Sequence, residues 1–109
     1  MLAELEIIER CLLVFSKPGR WTQKTLARDR QGKPVPVFSR VARCFDIEGC
    51  IRRAAGEEDR GAYARFVSMI KAQVGKHPFD WNDERGRSQK DIVRMFEDLA
   101  DELRFKEIP

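Results

Sequence analysis

Apolar residues recur at helical spacing in four stretches of the chain, and three prolines and a turn signal interrupt that rhythm between the first and second. Leu5, Ile8, Leu12 and Phe15 fall three and four apart, with Leu2, Cys11 and Leu13 nearby, so the spacing predicts a helix over 2–15. Pro18-Gly19 stops it. The segments WTQKTLAR and KPVPVF flank Asp29-Arg30-Gln31-Gly32, a pattern that predicts a short β-hairpin near 22–37. Pro34 and Pro36 carry no N–H, which confines the second strand to an edge. Ser39 is placed to cap a second helix over 40–55, with Cys44, Ile47, Ile51 and Ala54 on one stripe and Val41 and Phe45 beside it. Gly49 in its middle costs about 1 kcal/mol against alanine and points to close packing or a break. Asp59 is placed to cap a third helix over 60–75, whose stripe is Tyr63, Phe66, Val67, Ile70 and Val74. Residues 76–87 read as a polar loop holding Phe79 and Trp81. Ser88 and Asp91 have capping-box spacing at the start of a fourth helix over 89–104. That helix buries Ile92, Val93, Phe96, Leu99, Ala100 and Leu103. The sum is an α+β chain, mainly α: about four helices around one core with a short hairpin. Without repeats or a linker, residues 1–109 are expected to form a single domain.

Charge changes this picture more than composition does. The net charge is +3, but residues 17–43 hold eight basic groups against one acid, Asp29. This basic segment sits on a mildly acidic remainder. Hydrophobic content of 42% with 36% charged residues suits a folded globule, and no apolar run is long enough to span a bilayer. The acidic, periodic start MLAELEIIER reads as a helix rather than a signal peptide. Three cysteines without CxxC spacing argue against a disulfide framework and for a reducing, cytoplasmic setting. With His77 the lone histidine, the chain lacks a zinc-ligand pattern, and neither metal nor cofactor is expected.

Several short motifs stand in order along the chain: Trp21-Thr22-Gln23, Ala27-Arg28-Asp29 with Gly32, Cys44, Trp81-Asn82-Asp83 and Gly86-Arg87-Ser88. In this the chain resembles a small bacterial and phage-borne family of unknown function. Two departures stand out: the glycine after Cys44 comes five positions on instead of four, and Ser88 replaces the usual threonine. The resemblance implies fold and extent; it carries no activity.

Three functional classes follow from the residues. In the preferred one, a non-enzymatic interaction or regulatory protein binds another protein through the tryptophan loops. Its candidate contacts are Trp21, Arg28, Asp29, Trp81, Asn82, Asp83 and Arg87. The bland reading of the same residues is that the indoles fill the core and the Asx residues make turns. The second class binds nucleic acid through Lys17, Arg20, Lys24, Arg30, Lys33, Arg40 and Arg43, with Trp21 interleaved. Its bland reading is a solvated hairpin. The third is a cryptic hydrolase with Cys44 as nucleophile and His77 as base. Against it, Cys44 falls on an apolar stripe as a small buried hydrophobe would.

Overall fold

A computed structural model describes residues 2–106. Its elements, in chain order, are α1 (Glu4–Phe15), β1 (Ala27–Arg28), β2 (Cys44–Phe45), α2 (Ile47–Ala55), α3 (Ala62–Val74), α4 (Pro78–Asn82) and α5 (Gln89–Lys106). The α+β class, mainly α, is the one the periodicity predicts.

The first and last long helices run antiparallel. Phe15 stacks on Phe96 with ring centroids 5.8 Å apart, and Arg104 pairs with Glu9. The Gln89 amide at the start of α5 donates to the carbonyls of Phe15 (2.9 Å) and Lys17 (2.7 Å), satisfying acceptors left open at the end of α1. Against this pair lie α2 and α3, and Ile7, Ile8, Ile51, Phe66, Ile70, Ile92, Phe96 and Leu99 are all fully buried between them. The stripes over α1, α3 and α5 thus face inward as their spacing requires. Ser88 and Asp91 make the reciprocal cap: the Ser88 N–H donates to Asp91 Oδ2 at 3.0 Å, and the Asp91 N–H to Ser88 Oγ at 3.3 Å.

The predicted hairpin forms only at its turn. The Gly32 N–H donates to the Asp29 carbonyl at 3.0 Å, the Val35 N–H to the Ala27 carbonyl at 3.1 Å, and one bridge joins Arg28 to Pro34. The paired strands are β1 and β2, antiparallel, with Ala27 opposite Phe45 and Arg28 opposite Cys44. Pro34 and Pro36 have no N–H to extend a local ladder, so β1 takes its partner from further along the chain.

That long-range pairing also shortens the second helix. It begins at Ile47, not at residue 40, because Cys44 and Phe45 are held extended in β2. Asp46, not Ser39, is its cap: Asp46 Oδ1 accepts from the Gly49 N–H at 2.6 Å. Ser39 starts a tight turn, its Oγ accepting from the Val41 N–H at 3.3 Å, and Val41 is 60% exposed. Gly49 is a close-packing position. A Cβ there would lie 2.0 Å from the Leu26 carbonyl oxygen, so only glycine lets the chain before β1 cross α2 this closely.

Two further expectations are revised. Asp59 does not cap α3, whose first residue follows Gly61 without a side-chain cap. Instead the Asp59 carboxylate takes two bonds from Arg65, at 2.9 and 2.7 Å, and Arg65 also reaches Glu4 at 2.8 Å, tying α3 to α1. The polar loop 76–87 contains the five-residue helix α4, with Pro78 at its start and His77 Nδ1 accepting from the Phe79 N–H at 3.2 Å. No described helix is long and apolar enough to cross a membrane.

Candidate functional site

The two tryptophan segments meet, and Asn82 is the joint. Its side chain is 1% exposed, and both of its polar atoms are fully bonded within the molecule. Oδ1 accepts from Trp21 Nε1 at 2.8 Å and from the Ile47 N–H at 3.2 Å. Nδ2 donates to the Thr22 carbonyl at 3.2 Å and to Asp83 Oδ1 at 2.9 Å. Asp83 Oδ1 also accepts from the Lys24 N–H at 2.9 Å, and Gln23 Nε2 donates to the carbonyls of Asn82 and Glu84, both at 3.0 Å. One buried amide therefore ties the 21–24 segment, the start of α2 and the end of α4 into a single unit. Lys24 is held at φ +68° within this same network, a left-handed conformation that strains a lysine backbone.

The remaining candidates around it are also committed to the fold. Arg28 donates from Nε to Thr22 Oγ1 (2.9 Å), from Nη1 to the Gly32 carbonyl (3.0 Å) and from Nη2 to the Gln23 carbonyl (3.1 Å). Asp29 Oδ1 accepts from the N–H groups of Gln31 (3.0 Å) and Lys33 (2.9 Å), closing the turn. Arg87 lies over the Trp81 ring, 3.9 Å from its centroid, donates to the Trp81 carbonyl at 2.9 Å and pairs with Glu84. Lys76 also pairs with Glu84, and these cations hold the Glu84 carboxyl below the usual range. Both indoles are half-buried. Trp21, Asn82 and Asp83 are thus brought together, Arg28 and Asp29 build the adjoining turn, and Trp81, within α4, packs against Arg87.

The cysteines stand apart from this unit. Cys44 lies on β2 rather than on a helix, half-buried, with its Sγ 3.9 Å from the Arg28 carbonyl. His77 is exposed at the start of α4, and its Nδ1 is occupied by the Phe79 N–H. No hydrogen bond joins the two among the described residues. Cys11 and Cys50 are fully buried, and burial, with the Cys11 thiol beside it, pushes the Cys50 thiol up, away from the reactive thiolate. No described group of three or more His, Cys, Asp or Glu side chains is arranged to hold a metal ion.

The basic segment has a geometry that its sequence does not disclose. Two tight turns project arginines from equivalent positions. Asp29-Arg30-Gln31-Gly32 is closed by Asp29, and Ser39-Arg40-Val41-Ala42 by Ser39, with the Ala42 N–H donating to the Ser39 carbonyl at 3.2 Å. The strands fix two more. The Phe45 N–H donates to the Arg20 carbonyl, and the Arg43 N–H to the Arg28 carbonyl, both at 2.8 Å. Arg20, Arg30, Arg40 and Arg43 consequently line one recess of about 370 Å³. Arg20 Nη1 makes only a long 3.5 Å bond to the Arg43 carbonyl, and its buried Nε has no partner. The basic content of these residues is visible in the sequence. Their convergence depends on β1 pairing with β2, a pairing across 16 residues that no local signal announces.

Asp46 is a second group that the sequence does not single out. It is 2% exposed at the start of α2, and burial pushes its carboxyl up to about 7 from an ordinary value of 3.8.

No curated protein and no solved structure matches the chain. A family model does, over residues 2–102, spanning every element from α1 through most of α5 and both tryptophan motifs, and on that match the chain belongs to the Family of unknown function (DUF6197).

Proposed function

We propose that this chain is a binding protein that engages nucleic acid through the cations of segment 17–43. One observation carries the reading. Lys17, Arg20, Lys24, Arg30, Lys33, Arg40 and Arg43 form no ion pair with any described residue and share their segment with a single acid, whereas the 13 cations elsewhere share the chain with 17 acids, and six of them, Arg52, Arg65, Lys76, Arg87, Arg104 and Lys106, are paired. The only acid in the segment, Asp29, turns its carboxylate to backbone N–H groups. Gathering uncompensated like charges disfavours the folded state, and a polyanion relieves that cost while releasing its own counterions.

A protein-binding surface at the tryptophan loops draws less support. The hydrogen-bonding groups of Asn82, Asp83 and Arg28 are already spent inside the molecule, which leaves little to recognise a partner. A Cys44–His77 hydrolase draws less still, since each side chain is turned to a separate backbone group.

Fluorescence anisotropy with labelled single-stranded and duplex oligonucleotides tests the proposal at two salt concentrations. Binding at low salt that weakens steeply with added salt is the expected outcome, because phosphate contacts dominate such an interface. No binding at low salt contradicts it.

A further inference from the structure

We infer that the recess between the 29–32 and 39–42 turns seats a terminal phosphate, a phosphomonoester at the end of a nucleic-acid strand. This deepens the proposed function and rests on it. Four arginines, Arg20, Arg30, Arg40 and Arg43, line one recess. Guanidinium is the side chain best suited to phosphate, because its planar fork matches two oxygens at once. Asp29 lies at the same recess, and its Oδ1 is held by the N–H groups of Gln31 and Lys33. Counting that carboxylate against the four arginines leaves the recess with a charge of +3.

An internal phosphodiester brings one negative charge to such a place. A terminal monoester brings close to two at neutral pH, since its second proton leaves near pH 6. The lining has no aromatic ring; Val41 and Ala42 are its apolar residues. Charge and hydrogen bonding, rather than base stacking, therefore drive occupancy, and the identity of the end base matters little. The volume, about 370 Å³, lies at the small end of the range for ligand pockets, about 300–1,000 Å³, and suits one phosphate with its sugar. The backbone that carries these arginines is fixed. Arg30 and Arg40 sit on turns closed by Asp29 and Ser39, and the carbonyl of Arg20 and N–H of Arg43 are bonded across to the strands.

The test compares oligonucleotides of one sequence ending in a 5′-phosphate, a 3′-phosphate or hydroxyls only, by anisotropy at pH 7.5 and at pH 5.5. A mononucleotide serves as competitor. At pH 7.5 one phosphorylated end is expected to bind at least about tenfold tighter than the hydroxyl form, the scale of a charge-assisted contact. The preference should shrink at pH 5.5 as the monoester takes up its second proton. It should fall to near unity in Arg30→Ala/Arg40→Ala, both of whose side chains are exposed, with an unfolding temperature unchanged or higher at low salt. Equal affinity for all three ends, with binding otherwise intact, overturns the terminal-phosphate seat and leaves the basic-segment reading standing. Failure of every oligonucleotide to bind at low salt overturns both. Displacement by the mononucleotide as readily as by a phosphorylated strand overturns the strand end and gives the recess to a free nucleotide.

Discussion

Asn82 shows how much a single buried amide can organise. Its removal leaves the buried Ile47 N–H and the half-buried Trp21 Nε1 and Thr22 carbonyl without their partners. Unsatisfied buried groups cost about 1–3 kcal/mol each and do not add fully, so Asn82→Ala should lower unfolding free energy by about 3 kcal/mol in urea titrations. A loss under about 1 kcal/mol would mean that water replaces the amide and that the joint is not structural. Gly49 makes an equally sharp test. Propensity alone favours Gly49→Ala in a helix by about 1 kcal/mol. The Leu26 carbonyl oxygen, 2.0 Å from where the Cβ would be, reverses the sign, and a net loss of about 2–3 kcal/mol is expected from thermal unfolding. A stabilised variant would contradict the close approach. Asp46 sets a pH signature. Its folded pKa of about 7 lies above the ordinary 3.8, so the folded chain holds this proton more tightly than the unfolded chain does. Its stabilising contribution is then full below about pH 4 and is lost as pH rises through about 7. Asp46→Asn keeps an acceptor for the Gly49 N–H but not the titration. The stability of the natural chain relative to that variant should therefore decline between pH 4 and 7, and a constant difference across that range would argue against a buried, shifted carboxyl.

At the scale of elements, the long helices are legible in the sequence, while the short α4 and the connections are not. The stripes Leu5-Ile8-Leu12-Phe15 and Tyr63-Phe66-Ile70 report directly on which face is buried, because helical period and burial are coupled within one segment. The Ser88–Asp91 cap is legible for the same reason: both of its bonds close within four residues. The start of α2 is not. Ser39 and Asp46 are both good cap residues, and the choice between them is made by β1, which draws Cys44 and Phe45 into an extended pair. The hairpin is half-legible, since the Asp29–Gly32 turn is local but the partner of Ala27 and Arg28 is not. Of the candidate residues, the sequence points to the tryptophans and the Asn82-Asp83 pair without showing that one amide joins them. It points to the cations without showing that four of them share a recess. Hydrogen exchange reads the revised pairing directly. The amides of Thr22, Arg43 and Phe45, bonded across the segment, should exchange far more slowly than those of Arg30 and Arg40 at the turn tips. Equal exchange at all five would favour a local hairpin over β1–β2.

The molecule as a whole divides its charge. With a Cα radius of gyration of 13.2 Å it is as compact as a folded chain of this length, near 13 Å. Within that volume, six of the 13 cations outside the segment pair with carboxylates, as in Arg65 with Glu4 and Asp59, while the stretch from Lys17 to Arg43 holds eight cations against one acid. Pairs exposed to solvent add little stability, so the segregation matters for what the protein attracts more than for how firmly it folds. The most direct test is the salt dependence of duplex binding by the natural chain and by Lys17→Ala/Lys24→Ala/Lys33→Ala, which removes three exposed cations that have no described ion-pair partner. The slope of log affinity against log salt should become shallower by about 0.9 for each phosphate that the variant no longer neutralises, with the unfolding temperature unchanged or raised at low salt. An unaltered slope and affinity in a folded triple variant would contradict the assignment of the basic segment as the binding surface.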